Sequence, residues 1–239
     1  MGYVDLHLHL LPGVDDGAKT PEDSLRMARA LVALGYSDAA PSPHVNPRAA
    51  LAAVCEVRRE ELARAFEREG IPLAVHPNAE NVLDPELVER VAQELRPIGA
   101  GRYLLAEAPY RAPVPALPQV IFRLKLKGLT PLVAHPERCR EFERPGRAEE
   151  VVRAGAALQL DVGSLVNRYG TAARKLAERF LADGLYAVAA TDMHSPKDAE
   201  TWVPEALTAL RREVGDAAAE RLLGENPLRI LRGEPLPER

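Results

Sequence analysis

The chain has 239 residues, of which 46% are hydrophobic and 28% charged, and its formal net charge is −4 at pH 7. This balance excludes a general electrostatic attraction to nucleic acid or anionic lipid, and no apolar run approaches the roughly 18 residues that a membrane-spanning helix needs. The start of the chain, Tyr3–His7, lacks the pattern of a signal peptide, so we expect a cytoplasmic protein without membrane insertion and with one domain, residues 1–239.

Seven short β-like runs alternate with helical patterns along the sequence. The predicted strands are Tyr3–Leu10, Ser37–Pro41, Leu73–His76, Arg102–Glu107, Pro131–His135, Ala157–Val162 and Tyr186–Thr191. The predicted helices are Pro21–Leu34, Ala49–Glu69, Pro85–Leu95, Pro118–Lys127, Thr171–Ala182 and Pro204–Val214. The alternation predicts parallel strands with crossover helices. Because no G-x-G-x-x-G motif opens the first crossover, the pattern favours an α/β barrel over a dinucleotide-binding sheet.

Three further segments carry weaker signals. The proline-rich stretch Pro109–Pro118 is interpreted as a loop over the barrel mouth. The tail Gly233–Arg239, rich in proline and charge, is predicted to be a frayed end. Cys55 and Cys139 lie far apart without metal-type spacing, so we expect two reduced cysteines that pack in the core.

The first predicted strand carries two histidines on one face. A period of two puts Asp5, His7 and His9 on the face opposite to the apolar residues. These apolar residues are Val4, Leu6, Leu8 and Leu10. Histidines at i and i+2 on the inner face of a barrel strand can point at one divalent ion, although two hydrogen-bonded structural histidines would give the same pattern. Just beyond the strand, Asp15 and Asp16 are candidate ligands, while Asp-Gly is also a common turn signal.

The other candidates also stand near the carboxyl ends of predicted strands, where the active face of a barrel lies. The six histidines of the chain are His7, His9, His44, His76, His135 and His194. His76 closes a predicted strand, and we interpret it as structural. Glu107 is a stronger candidate ligand than Glu80, for which simple surface exposure is the alternative. A carboxylate that ends an apolar strand, as Glu107 does, is unfavourable unless it is paired or metal-bound.

About five histidines and four carboxylates, with no sulfur ligand, are too many for one four-coordinate ion. We therefore predict two or three divalent metal ions. Nitrogen and oxygen ligands suit Mn²⁺, Zn²⁺ or iron. Because paired ions activate a bridging hydroxide and hold the oxygens of a phosphate ester, the pattern indicates a metal-dependent phosphoesterase.

Four motifs, in order along the chain, resemble one known family. The run Asp5–Ala18 resembles the opening signature of the PHP-type (polymerase and histidinol phosphatase) protein-tyrosine phosphatases encoded in bacterial capsule and exopolysaccharide operons. His135–Arg138 is similar to the H-P-E-R element of that family, Gly163–Leu165 to its G-S-L loop, and Thr191–His194 to its S-D-x-H element. The opening signature is highly specific, whereas G-S-L alone is weak.

The resemblance implies a distorted seven-stranded TIM-like (β/α) barrel of the PHP fold and three divalent metal ions, manganese being the usual expectation. It also implies hydrolysis of phosphotyrosine by a metal-activated hydroxide. The implied metal ligands are His7, His9, Asp16, His44, Glu80, Glu107, His135, Asp192 and His194. The resemblance thus selects Asp16 over Asp15 and omits His76. It makes Arg138 the phosphate-binding cation, and we expect Arg138, Asp192 and His44 to be the catalytic residues.

The sequence departs from the family pattern in two places. After His194 the family usually continues with an asparagine and an R-P-P element, but this chain has the run 195–198, S-P-K-D. The second phosphate-binding arginine is therefore missing, and Lys197, Arg111 or Arg168 are the candidates to replace it. Cys139 stands where an aromatic residue commonly follows H-P-E-R, so we expect substrate stacking to differ there.

The leading hypothesis is a metal-dependent protein-tyrosine phosphatase that acts on the tyrosine-rich tail of a bacterial tyrosine kinase. A cysteine-dependent phosphatase is excluded, because its C-x5-R loop needs arginine at 61 or 145, and these residues are Glu61 and Pro145. The alternatives are a PHP phosphatase for a small metabolite such as histidinol phosphate, a metal-dependent amidohydrolase, and a non-catalytic PHP module. The amidohydrolase is less favoured because no lysine sits at a predicted strand end, and the non-catalytic module because all nine ligand positions carry competent residues. The oligomeric state is left open.

Overall fold

Parallel strands and the helices that cover them make up the computed structural model, which describes residues 2–44, 51–90 and 97–237. The strands are β1 Tyr3–Asp5, β2 Tyr36–Ala39, β3 Ala74–Val75, β4 Asn81–Val82, β5 Tyr103–Glu107, β6 Thr130–Ala134, β7 Ala157–Asp161 and β8 Val188–Ala190. The α-helices are α1 Pro21–Ala33, α2 Leu51–Arg68, α3 Leu87–Arg90, α4 Leu117–Leu126, α5 Arg147–Arg153, α6 Thr171–Ala182, α7 Pro196–Glu200, α8 Trp202–Val214, α9 Asp216–Glu220 and α10 Asn226–Leu231.

The strands form two parallel sheets, in the orders β1-β2-β3 and β4-β5-β6-β7-β8. Parallel bridges join the sheets at both edges, between Leu8 and Met193 and between His44 and Glu80. β3 and β4 are two short pieces of one stretch of chain and together occupy one strand position. The eight strands therefore form a barrel with seven strand positions. The predicted α/β barrel with seven strands is confirmed.

The break between β3 and β4 has a local cause in the sequence. Pro77 has no backbone N–H and cannot donate to a strand neighbour. The Asn78 side-chain amide instead donates to the backbone oxygens of Leu6, at 2.8 Å, and of Ala40, at 3.2 Å. A side chain therefore replaces the regular ladder at this point, which explains why the barrel is distorted.

The first strand is shorter than predicted because Asp5 ends it. The Asp5 carboxylate accepts hydrogen bonds from the His7 backbone N–H, at 3.1 Å, and from the Thr191 hydroxyl, at 2.6 Å. The strict alternation therefore fails after residue 5. Val4 and Leu6 pack in one cluster with Leu105 of β5 and Leu132 of β6, whereas the other two apolar residues of the run pack in a second cluster that includes residues of α1. The prediction that all four share one face is wrong.

The helices agree with the pattern where the structure describes them. The predicted start of α2 and the predicted end of α3 fall on residues 45–50 and 91–96, outside the described residues. The sequence patterns missed α5, α7, α9 and α10, which have five to seven residues each and are too short for a clear helical period. No helix in the described ranges is both long and apolar enough to cross a membrane.

The tail after α10 packs against the amino-terminal end of the barrel. The Tyr103 hydroxyl donates a hydrogen bond to the Glu234 carbonyl at 3.0 Å and accepts one from the Leu236 N–H at 3.1 Å. The Arg229 side chain also binds the Pro235 carbonyl, at 2.9 Å. The prediction of a frayed end is therefore wrong for residues 234–236, because Tyr103 and Arg229 supply partners to their backbone.

Candidate metal centre

All nine sequence-predicted ligands meet at the carboxyl-terminal end of the barrel strands. Their donor atoms form overlapping groups in which every atom lies within 4.8 Å of the others. The groups are His9 with Asp16, His44 and His194; His7 with His135 and Asp192; His7 with His9 and Glu80; and His44 with Glu80 and Glu107. Parallel strands bring residues that are distant in the sequence to one end of the barrel, which is why strand-end positions converge.

Glu80 lies at the centre of the cluster, and its two carboxylate oxygens face different histidines. Oε1 is 3.3 Å from His7 Nε2 and 3.2 Å from His135 Nε2. Oε2 is 3.0 Å from His44 Nδ1 and 3.7 Å from His9 Nε2. Only 2% of Glu80 is exposed to solvent. A buried carboxylate between two sets of imidazoles has the arrangement of a ligand that could bridge two ions.

Asp192 follows β8 and faces the same histidines. Its Oδ1 lies 3.1 Å from His7 Nε2 and 3.3 Å from His9 Nε2. Asp192 and His135 have positive φ angles, 48° and 31°, and together with Asn167 they are the non-glycine residues of the described chain with this backbone conformation. Side chains other than glycine rarely adopt it, so the fold holds two candidate ligands in strained positions.

The charges in the cluster compensate one another. Burial acts to lower the pKa of His7, but the Glu80 and Asp192 carboxylates outweigh it and hold that pKa well above its usual value. Burial likewise acts to raise the pKa values of the Glu80 and Asp192 carboxyls. The charge of His7 is the largest influence in the opposite direction, and both pKa values lie well below their usual range. Divalent cations could take over this compensation and release protons from the histidines.

The orphaned polar atoms of the cluster fit bound metal ions. Five buried side-chain atoms have no hydrogen-bond partner among the described residues, although charged groups surround them. They are Nε2 of His7, Nε2 of His9, Oε2 of Glu80, Oε2 of Glu107 and Nδ1 of His135. Unpartnered buried polar atoms are rare in proteins, and imidazole nitrogens with carboxylate oxygens suit Mn²⁺, Fe or Zn²⁺. We conclude that the side chains present fit divalent cations.

Residues outside the predicted set orient two of the histidines. His7 Nδ1 lies 2.9 Å from the side-chain oxygen of Gln159, and His9 Nδ1 lies 2.7 Å from Asp15 Oδ2. These contacts occupy Nδ1 and leave Nε2 of each ring toward the cluster. By contrast, Oδ1 of Asp16 lies 3.4 Å from Nε2 of His44. The two neighbouring aspartates therefore have different positions, one behind a histidine and one within the donor cluster.

Arg138 lies beside the cluster at the end of the short 3₁₀ turn Pro136–Arg138. Its Nη1 donates to Asp161 Oδ2, at 2.9 Å, and also to Asp192 Oδ2. Its guanidinium carbon stands 3.9 Å from the centroid of the Tyr169 ring. Burial acts to lower the pKa of Arg138, but Asp161 and Asp192 raise it, so the side chain stays charged.

A cavity of about 510 Å³ opens above the cluster and exposes Arg138 to it. Among the described residues that line this cavity, Arg138 is the one lysine or arginine. Lys197 and Arg111 are exposed and lie outside the lining. Arg168 binds Asp198 at 2.8 Å and stacks on Trp202, also away from the cavity. The candidate replacements for the missing arginine therefore do not line the cavity that Arg138 lines.

Cys139 also lies away from the cavity. The residue is 1% exposed, and its thiol donates to the Ala108 carbonyl at 3.2 Å. Its side chain points into the core, and the expectation that substrate stacking differs at this position stays a prediction. Cys55 and Cys139 are both buried in the core, as predicted. His76 pairs with Asp38 at 2.7 Å, apart from the donor cluster, as its structural interpretation requires.

Sequence reasoning missed several residues around the site. Glu137 is buried and accepts hydrogen bonds from the Asp161 backbone N–H, the Ser164 hydroxyl and the Tyr186 hydroxyl, at 3.0, 2.9 and 2.8 Å. It thereby joins the H-P-E-R and G-S-L elements. A signal for Gln159 and Asp161 was present, because they are polar residues at i and i+2 of an otherwise apolar strand.

The fold and this cluster define an α/β barrel with a candidate multi-ion metal centre built from imidazoles and carboxylates. A family profile described as capsular polysaccharide synthesis, CpsB/CapC, matches residues 3–232. The chain therefore belongs to the CpsB/CapC family.

Relatives of known activity match along almost the whole chain. Tyrosine-protein phosphatase YwqE from Bacillus subtilis (strain 168) is 33% identical over 237 residues, which are 98% of this chain and 93% of YwqE. YwqE from Bacillus subtilis and CpsB from Streptococcus pneumoniae have been crystallised and are described as unique metal-dependent tyrosine phosphatases. One of these crystal structures superposes on this chain with a TM-score of 0.89 at 32% identity. It covers 99% of this chain and 97% of that chain. The resemblance to the phosphatases of capsule operons is confirmed.

The barrel itself is shared more widely. The phosphotriesterase homology protein from Escherichia coli, solved with phosphate in its active site, superposes with a TM-score of 0.55 at 14% identity, covering 95% of this chain and 97% of that chain. At this identity the likeness shows the fold alone. It supports the α/β barrel and does not indicate an amidohydrolase or phosphotriesterase activity.

Proposed function

We propose that this chain is a metal-dependent protein-tyrosine phosphatase whose residues 1–239 act as one domain. Two to three divalent ions form its centre, with Mn²⁺ foremost and Fe or Zn²⁺ as alternatives. The observation that carries the proposal is the position of Glu80, whose two carboxylate oxygens face separate histidines 3.0–3.7 Å away. Donor groups that share one buried carboxylate suit closely spaced ions, which is the arrangement that phosphate-ester hydrolysis uses.

Bound divalent ions supply an activated water for attack on phosphorus and neutralise the phosphate oxygens. The protein's own side chains bind and orient the substrate. Arg138 presents a planar guanidinium to the cavity, and this geometry suits paired phosphate oxygens. Asp161 accepts a hydrogen bond of 2.9 Å from that guanidinium and so helps to orient it. His44 and Asp192, the other proposed catalytic residues, line the same cavity with side chains 42% and 4% exposed.

The proposed substrate is phosphotyrosine in a protein. The relatives named for tyrosine phosphatase activity, and the family description of capsular polysaccharide synthesis, support it. The tyrosine-rich tail of a bacterial tyrosine kinase is the proposed partner, and the cytoplasm is the proposed compartment. An extended, flexible tail fits a site that opens at the end of a barrel, because a phosphotyrosine side chain can enter it without unfolding a domain.

Side-by-side hydrolysis of a phosphotyrosine peptide and histidinol phosphate tests the proposal. The protein is loaded with Mn²⁺, and its bound metals are counted by elemental analysis. We expect two to three metals per chain and a clear preference for the peptide. Preference for histidinol phosphate would move the function to small-molecule metabolism. Full metal content without turnover of either ester would favour the non-catalytic module.

A further inference from the structure

The cavity above the candidate metal ligands has an apolar side that the phosphate chemistry does not use. Tyr110 is 40% exposed and Val82 is 39% exposed, and both line this cavity. They are two of the six large hydrophobic residues with this degree of exposure in the described chain. Every other described residue of the cavity lining is polar or charged. Exposed apolar surface inside an otherwise ionic site indicates a ligand with an apolar part.

The two side chains belong to the same side of the barrel mouth. Val82 pairs with Glu107 in the register of β4 and β5, and Tyr110 follows three residues after Glu107. The Tyr110 ring is fixed on one side, since it stacks on His135 with a centroid distance of 5.6 Å and an angle of 16°. Its hydroxyl accepts a hydrogen bond of 2.9 Å from Arg138 Nη2. A rigid aromatic surface therefore stands next to the proposed phosphate-binding cation.

We propose that Tyr110, together with Val82, forms the wall against which the aryl ring of a phosphotyrosine side chain packs while its phosphate lies at Arg138. This inference rests on the proposed function and assigns the part of the site that recognises the aromatic group. A phosphoserine or phosphothreonine side chain has no ring to place against this wall. Tyr110 is thus a specificity-determining residue, which selects aryl over alkyl phosphate esters by contact with the substrate.

Binding of two phosphonates to the metal-loaded full chain isolates the contact. Phenylphosphonate and methylphosphonate carry the same anionic group, and neither is hydrolysed, so the ratio of their Kd values measures the aryl contact without leaving-group chemistry. An aromatic contact of this kind changes affinity by about tenfold. We expect calorimetry to show that preference in the wild-type protein, in Tyr110→Phe, which keeps the ring, and in the control Phe122→Ala. Phe122 is 58% exposed on α4, outside the cavity lining.

In Tyr110→Ala the preference for phenylphosphonate over methylphosphonate should fall to about twofold. An unchanged ratio in this variant would overturn the proposal. Circular dichroism checks the fold of Tyr110→Ala, and Val82→Ala provides a second, smaller reduction of the same ratio. A wild-type protein that prefers phenylphosphonate but hydrolyses no phosphotyrosine peptide would contradict the proposed function alone. A wild-type protein that hydrolyses the peptide without any phenyl preference would contradict the aryl wall alone.

Discussion

His7 Nδ1 and the side-chain oxygen of Gln159 lie 2.9 Å apart in the barrel interior, although 152 residues separate them in the chain. The amide oxygen can only accept a hydrogen bond, so Nδ1 of His7 carries the proton and Nε2 is left to face Glu80 and Asp192. The Gln159 amide nitrogen donates in turn to the Leu160 carbonyl at 2.7 Å, which fixes the orientation of the amide. A side chain of β7 thus orients a candidate ligand in the segment that follows β1.

Replacing Gln159 with leucine should weaken metal binding while every proposed ligand stays in place. Gln159→Leu removes the acceptor for His7 Nδ1, so the ring loses its preferred tautomer and orientation, and we expect a roughly 10–100-fold loss of metal affinity. Titration of the metal-free protein with Mn²⁺ measures the effect. Gln119→Leu, at an exposed position outside the cavity lining, is the matched control. Wild-type affinity in Gln159→Leu would show that this contact does not orient His7.

Loss of a central ligand should remove metal and activity together. His135→Ala is expected to lower the metal content per chain and to reduce turnover of a phosphotyrosine peptide more than about 100-fold, and Asp192→Ala should do the same. Elemental analysis and the peptide assay are made on the same samples. His76→Ala is the control, because that histidine pairs with Asp38 apart from the donor cluster. Full turnover in His135→Ala would refute its assignment as a ligand.

Arg138→Ala should separate substrate capture from metal binding. The guanidinium is proposed to contact phosphate and not metal, so metal content should persist while kcat/KM falls about 10–100-fold, chiefly through KM. Arg168→Ala, which removes an arginine that binds Asp198, is the control. Lys197→Ala and Arg111→Ala extend the series. A rise of KM in either would support its predicted role in substrate binding, and metal loss in Arg138→Ala would contradict the division of roles.

Glu137→Gln should destabilise the fold near the site. Glutamine keeps one acceptor oxygen, but the NH2 group that replaces the other oxygen cannot accept a hydrogen bond. Either the Tyr186 hydroxyl or the Asp161 N–H and the Ser164 hydroxyl therefore lose their acceptor. A buried donor without an acceptor lowers the free energy of unfolding by roughly 1–3 kcal/mol. Denaturant unfolding of the metal-loaded protein measures the change. Glu143→Gln, at an exposed position six residues later, should leave stability unchanged; an equal loss in both variants would argue against the buried network.

Much of the candidate site could be predicted from the sequence because its members stand at strand ends. Histidines and carboxylates that follow apolar runs, such as Glu107 and His135, must share one end of a parallel barrel whatever the details of packing. The strand-and-helix alternation predicted that barrel for the same reason. The choice of Asp16 and the role expected of Arg138 needed the family motifs, since periodicity does not distinguish neighbouring residues of a turn.

The tertiary structure alone decided which residues support those ligands. Contacts between different strands and loops bring Gln159 near His7, Asp161 near Arg138, and Tyr110 near His135. No local pattern specifies such pairs. It also decided that Cys139 points into the core and that Lys197 lies outside the cavity, because the direction of a side chain depends on the turn that carries it. The sequence by itself determined the barrel and the polar residues at its mouth, since periodicity and strand ends are local properties. The orientation of each donor depends on packing between distant segments, and only the folded chain brings those segments together.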